Sequence, residues 1–327
     1  MRIITLEEHI TFPELTADIP ADAFAAHRID RSPMIQRLQP KLADITGERL
    51  QSMDAGGITM QILSVVGPGA ELLSKTEGPA FAHRYNDTLA AKIAAHPDRF
   101  TAFAHLPMTA PEAAADELER AHQEYGFKGA LINGLTGDRF LDDPIFAPLL
   151  ARAEKLSLPL YLHPGRPPKA VADAYFSGLP GNSGMLLSVS GWGWHAETAL
   201  HILRLIVSGT FDRYPGLRLI IGHMGEMLPM MMARCDGKLQ PGAAGINQRT
   251  VSETLRSQVY ITTSGLFTLP PLMVAIETFG IDRILFSVDY PFSTNEEGRK
   301  FLDSLPLSPA HLARIAHGNA DQLLKLQ

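Results

Sequence analysis

The sequence predicts a (β/α)8 barrel. Apolar, often β-branched runs of strand length alternate with helical runs along the chain. Eight such β runs fall within about 290 residues, the size of one closed barrel. Ionisable residues recur at the C-terminal ends of those runs, where barrel enzymes place their sites. Strict alternation implies a parallel sheet covered by helices. A doubly wound open sheet is the competitor, but no Gly-rich phosphate loop follows the first strand.

The first β run is residues 2–9, climbing into Glu7-Glu8-His9. Residues 11–44 are rich in Pro, Ala and charge without clean periodicity, so a long excursion is expected that covers or lines a site. A short helix over 47–55 ends at Gly56-Gly57. Strand two is 59–66, closed by Gly67-Pro68-Gly69. The spacing of Ala82, Tyr85, Leu89 and Ile93 predicts a helix over 79–95. Strand three is 100–105, and an acidic, Ala-rich helix spans 111–125. Strand four is 129–133, followed by a helix over 144–156 with Phe146, Leu149, Leu150 and Ala153 inward. Strand five, 158–163, leads into a Gly/Pro/Ser-rich loop over 166–193. An apolar helix spans 197–208. Strand six is 217–223, followed by a Met-rich helix over 226–235. Strand seven is 259–263, a helix covers 272–278, strand eight is 284–289 and the tail 309–326 is helical.

The chain has 327 residues, 45% hydrophobic and 20% charged, enough for a large core. A net charge of −6 argues against a nucleic-acid partner. The single Cys235 excludes an internal disulfide framework and fits a reducing cytoplasm. Neither a signal peptide nor a membrane span is expected.

Glu7 and His9 lie two apart in an extended strand, so both aim at one place. Alone they read first as an exposed turn. Strand four, however, ends in Asn133, strand five in His163, strand six in His223 and strand eight in Asp289. Carboxylates and imidazoles gathered at one mouth are costly to bury without a cation, and a divalent metal makes them compatible.

In combination, Leu6-Glu7-Glu8-His9, the stretch 49–64, His96-Pro-Asp-Arg-Phe100, Gly129-Ala-Leu-Ile-Asn133, Tyr161-Leu-His163-Pro164, Ile221-Gly-His223-Met-Gly-Glu226 and Phe286-Ser-Val-Asp289-Tyr-Pro-Phe292 resemble the amidohydrolase superfamily. Within it they are most similar to the metal-dependent, non-oxidative decarboxylases, of the γ-resorcylate (2,6-dihydroxybenzoate) kind. Aminocarboxymuconate semialdehyde and 5-carboxyvanillate decarboxylases lie further off. The resemblance implies one distorted barrel domain over 1–327 with an insert after strand one at about 11–46. It makes Glu7, His9, His163 and Asp289 ligands of a single divalent metal, Zn2+ or Mn2+. His223 becomes an acid/base residue beside the metal, supported by Glu226, and Asn133 and Arg234 lie near the substrate. Two-metal relatives use a carboxylated lysine from strand four, and Asn133 cannot be carboxylated.

The chemistry implied is decarboxylation of a hydroxy-aromatic acid, with Asp289 or His223 protonating the carboxylate-bearing carbon and no organic cofactor. The alternative is a hydrolase whose metal-bound water attacks a lactone or amide. A non-catalytic metal-binding barrel is a third possibility. Arg234 reads equally as a partner of Asp236 or Glu226. Trp192, Trp194 and His195 stack on an aromatic substrate or pack their own loop. Phe292 walls this pocket or a neighbouring subunit's. His105 is worth testing as a site residue, whereas His27 and the other histidines read as surface, core or cap. Met224, Met227, Met230, Met231 and Met232 read as helix packing. Apolar faces on such barrels suggest a homodimer or homotetramer.

Overall fold

The structure, a computed structural model, describes residues 1–26, 33–67 and 69–326. His27 and the rest of 27–32, within the expected insert, lie outside the described residues, as does Pro68 of the turn after strand two. Among the described residues the strands are β1 Ile4–Ile10, β2 Met60–Val65, β3 Phe100–Ala102, β4 Ala130–Asn133, β5 Leu160–His163, β6 Leu219–Ile221, β7 Val259–Thr262 and β8 Ile284–Leu285. All neighbours pair in parallel, in the runs β1-β2-β3 and β4-β5-β6-β7-β8. They follow one another around a (β/α)8 barrel whose ladder is interrupted at two seams.

One seam, β3 to β4, is crossed by an isolated bridge between Ala104 and Ala130. The other, β8 to β1, is closed largely by side chains. Ser287 Oγ accepts from the N–H groups of Leu6 (3.1 Å) and Glu7 (2.6 Å). The buried Glu8 carboxylate accepts from Val288 N (3.0 Å), Tyr290 N (3.2 Å), Ser287 Oγ (3.3 Å) and Gln61 Nε2 (3.2 Å). Arg49 completes the clasp: Nη1 donates to Gln61 Oε1 at 3.2 Å, and Nη2 to the His9 carbonyl at 2.5 Å.

Ile4, Leu6, Ile62, Phe103, Leu131, Tyr161, Ile220 and Leu285 fill the barrel interior, and the alternate strand residues pack under the helices. Simple alternation from Ile4 and Leu6 would send Glu7 outward. The β1–β2 register slips between Thr5 and Glu8. A bulge of this kind re-aims side chains, and from it Glu7 and His9 face the mouth while Glu8 faces the seam.

The helices are α1 Pro13–Thr16, α2 Ala21–Ala26, α3 Pro33–Ala43, α4 Glu48–Gly56, α5 Gly78–Ile93, α6 Pro111–Tyr125, α7 Ala147–Leu156, α8 Lys169–Phe176, α9 Ser183–Ser188, α10 Gly193–Val207, α11 Thr210–Arg213, α12 Leu228–Lys238, α13 Val251–Gln258, α14 Leu269–Phe279, α15 Asn295–Ser304, α16 Pro309–Ala313 and α17 Asn319–Leu324. The excursion after β1 therefore carries α1 to α3, and the expected loop over 166–193 carries α8 and α9. Apart from α3, whose Pro33 and Pro40 read as breakers, these pieces are too short to display a helical period, and Gly178 and Gly181 separate the latter two. The helix expected from Glu226 begins at Leu228, because the chain winds left-handed from His223 to Met227. Strand eight is two residues rather than six, since side chains take over its pairing with β1.

Replacing Glu8 with Ala would leave the N–H groups of Val288 and Tyr290 buried without an acceptor. This is expected to cost about 2–4 kcal/mol, seen as a lower melting temperature. A protein melting like wild type would show that the seam does not depend on this carboxylate.

Candidate metal centre

The barrel mouth is built from strand ends. β1 delivers Glu7 and His9, β5 ends in His163 in register with Asn133 of β4, His223 follows β6, and Asp289 follows β8. Glu7 is fully buried. Its Oε2 accepts from the hydroxyls of Tyr161 and Ser264. Its Oε1 has no hydrogen-bond donor and lies 3.3 Å from His163 Nε2, 3.6 Å from His223 Nε2 and 4.0 Å from His9 Nε2. His9 Nε2 is 3.2 Å from Asp289 Oδ1. Two ligands about 2.0 Å from one ion in tetrahedral array stand about 3.3 Å apart, so these separations fit a shared cation. Glu7, His9 and His163 offer ligand atoms within 4.8 Å of one another, as do Glu7, His223 and Asp289.

Electrostatics agree. Burial lowers His9 to about 4, against the pull of Glu7, so the ring is neutral at pH 7. His163 Nδ1 sits 2.9 Å from the Pro164 carbonyl. A carbonyl only accepts, so Nδ1 carries a proton and the ring is fixed with Nε2 turned toward Glu7. Burial works to raise the Glu7 carboxyl, but His223, His163 and His9 outweigh it and hold it below its ordinary range. Asp289 is pushed up to about 8 by burial and by the charge of Glu7. A divalent cation would relieve that repulsion.

His223 and Glu226 sit on an unusual turn. His223, Met224, Gly225, Glu226 and Met227 have φ of 46°, 58°, 83°, 51° and 66°. Left-handed winding costs a non-glycine residue about 1–2 kcal/mol, and such strain concentrates at functional sites. The turn brings His223 Nδ1 to 2.8 Å from Glu226 Oε1. Burial opposes protonation of His223, but Glu226, Glu7 and Asp289 raise it to about 10.

Around this cluster, the Phe292 ring lies 5.8 Å from His9 edge to face and is 39% exposed. The Trp194 ring is 6.4 Å from His163, with its buried Nε1 unpartnered. Asn133 is half-buried at the end of β4, beside Gly67. Arg234 is exposed on α12 and shares no hydrogen bond or ion pair with Glu226, Asp236 or the cluster. His105 is a buried structural residue: its Nε2 accepts from Ala70 N at 2.9 Å and Asn86 clasps its backbone.

Sequence reasoning passed over three neighbours of the cluster. Tyr161 stands two residues before His163, on the same strand face, which was a readable signal. Ser264 lies just past β7. His195, read as a loop aromatic, places Nδ1 2.5 Å from Glu226 Oε2, a contact across 31 residues that no local pattern announces. A cavity of about 900 Å3 adjoins this side, lined by Trp192, His195, Leu200, His223, Glu226 and Met227.

The amidohydrolase family model matches residues 19–326, and the chain belongs to that family. Within it, the relatives similar over the full length include decarboxylases. The chain is 38% identical over 339 residues to a γ-resorcylate decarboxylase of Rhizobium sp. strain MTP-10005, covering 99% of this chain and 98% of the relative. A crystal structure of 2,6-dihydroxybenzoate decarboxylase complexed with 2,6-dihydroxybenzoate superimposes with a TM-score of 0.89 at 37% identity, covering all of both chains. A dihydroxybenzoic acid decarboxylase from Polaromonas sp. JS666, with bound manganese and the inhibitor 2-nitroresorcinol, gives 0.90 at 36% identity, covering 99% of this chain and 97% of that one.

A Cβ on Gly222 would stand 2.5 Å from Glu7 Oε2 and 3.2 Å from Tyr161 Oη. Gly222→Ala is therefore expected to displace the Glu7 carboxylate and lower bound metal per chain, measured by elemental analysis, while circular dichroism stays that of the folded barrel. Full metal content in this variant would count against Glu7 as the centre of the site.

Proposed function

We propose that this chain is a metal-dependent, non-oxidative decarboxylase of a hydroxy-aromatic acid such as 2,6-dihydroxybenzoate, reversible in principle. The observation that carries the reading is Glu7 Oε1: buried, without a donor, and ringed by three imidazole nitrogens at 3.3 to 4.0 Å. Glu7, His9, His163 and Asp289 hold one divalent ion, and their mixed nitrogen and oxygen set suits Mn2+ or Zn2+. When bound, the ion supplies positive charge that anchors the substrate carboxylate and ortho oxygen.

The chain's own residues do the rest. Glu226 fixes the His223 ring, so that Nε2 faces the mouth and holds a proton there. His223, or Asp289, delivers a proton to the carboxylate-bearing carbon. The bond to the carboxylate then breaks, its electron pair returns to the ring and CO2 leaves. The ring itself takes up the electrons, with the hydroxyl as phenolate feeding density into it, so no organic cofactor takes part. Asn133, Phe292 and Trp194 orient and wall the substrate. Arg234 stands on α12, whose Met230, Met231 and Cys235 line the adjoining cavity, and supplies fixed positive charge at the rim.

We also read the whole chain as one catalytic domain acting in a reducing cytoplasm; no helix among the described residues is long and apolar enough to cross a membrane. Met224 and Met232 are buried packing residues, but Met230 is 73% exposed and Met231, Trp192, Leu200 and Met273 are also exposed. A homodimer or homotetramer would cover this apolar surface.

Purified protein should lose or fix carboxylate on 2,6-dihydroxybenzoate or salicylate in bicarbonate. Turnover of an ester or lactone without that reaction would identify a hydrolase instead. His163→Ala and Asp289→Asn are each expected to lower activity by two or more orders of magnitude and reduce metal well below one ion per chain. Retention of both properties in both variants would sink the ligand assignment. Light scattering after size exclusion should give a mass of two or four chains, and a monomer would contradict the assembly.

A further inference from the structure

The His195 ring meets two acceptors. Its Nδ1 lies 2.5 Å from Glu226 Oε2 and its Nε2 lies 3.0 Å from the Ser190 carbonyl. A carbonyl cannot donate, so Nε2 carries a proton. Nδ1 faces a carboxylate at close range and is a donor as well. Glu226 is fully buried, and each of its oxygens meets one imidazole: Oε1 takes His223 Nδ1 at 2.8 Å, Oε2 takes His195 Nδ1. The two rings stand 4.9 Å apart, nearly edge to face. His195 opens α10, and Ser190 belongs to the turn before it. Trp192, from the same turn, lines the cavity shared with His223 and Glu226.

We propose that His195 is a positioning residue for the proton transfer, holding the far oxygen of Glu226 so that Glu226 holds His223, and tying the turn 189–192 to that pair. This rests on the role given above to His223. Without His195, Glu226 Oε2 becomes a buried acceptor with no donor, an unfavourable state. The carboxylate escapes that cost by rotating, and rotation releases His223 Nδ1. The His223 ring then samples orientations in which Nε2 no longer faces the substrate. Outer hydrogen-bond partners of this kind are worth about 10–100-fold in activity. The loss appears in kcat, because His195 stands off from the four proposed ligands and meets the site only at Glu226 and the edge of the His223 ring.

The test is a double-mutant cycle on the metal-loaded enzyme with 2,6-dihydroxybenzoate. His195→Ala is expected to lower kcat by about 10–100-fold, with KM within about threefold and metal per chain unchanged. His195→Asn, whose amide can donate to Glu226, should recover part of the loss. In a Glu226→Gln background the Ala substitution should cost under about threefold, because the group it acts through is already altered. Undiminished kcat in His195→Ala overturns the proposal. So does a full-sized loss persisting beside Glu226→Gln, or a loss tracking metal content or melting temperature. Nitrogen-15 spectra of the resting protein give a readout without turnover: two protonated ring nitrogens assigned to His195 are expected, and a bare Nδ1 overturns the assignment. A wild type inert toward 2,6-dihydroxybenzoate would fail the substrate reading alone, and the ring spectra would still decide His195.

Discussion

The seam between β8 and β1 is closed by a carboxylate where a strand ladder would normally run, and the geometry of the mouth depends on it. Glu8 takes the N–H groups of Val288 and Tyr290, the residues on either side of Asp289. Asp289 has a left-handed φ of 69°, a conformation that persists only where its surroundings over-determine it. Gripping the backbone on both sides does so. The bulge in β1 then separates the two adjacent acids, Glu8 to the seam and Glu7 to the mouth. One dipeptide thus closes the barrel and places a charged group inside it.

Inside the mouth the balance of charge differs from that of an ordinary core. Buried carboxylates and imidazoles face one another at 3.2 to 4.0 Å. The neutral ring at His9 presents a lone pair rather than a proton, and His163, held at Nδ1 by the Pro164 carbonyl, turns Nε2 to the same place. His223 differs because Glu226 holds its other nitrogen. The cluster divides into an inner group suited to a cation and an outer group, Glu226 with His195 and His223, suited to holding a proton.

Much of this was legible in the sequence. Period-two spacing put Glu7 with His9, and the alternation of β and α runs put Asn133, His163, His223 and Asp289 at one end of a barrel. What escaped has physical reasons. The helices α1, α2, α8 and α9 are too short for a hydrophobic period to rise above Pro and Gly punctuation, and α3 opens on Pro33 and carries Pro40 inside it. The helices α13 and α15 were announced by the capping pairs Thr250 with Glu253 and Thr294 with Glu297, signals that an apolar-period reading passes over. The short β8 reflects pairing surrendered to Ser287 and Glu8, and the stretch looks like strand in sequence because residues 284–288 are all buried. His195 with Glu226, and Ser264 with Glu7, join positions 31 and 257 residues apart and exist only once the barrel has closed.

The turn from His223 to Met227 has a consequence for durability. Four of its five residues carry side chains in a winding sense that L-amino acids resist, and packing together with the bonds of Glu226 to His223 and His195 keeps them there. Strain held in a segment lowers the cost of opening it locally. Activity that depends on this turn is therefore expected to be lost on warming below the temperature at which the strands part.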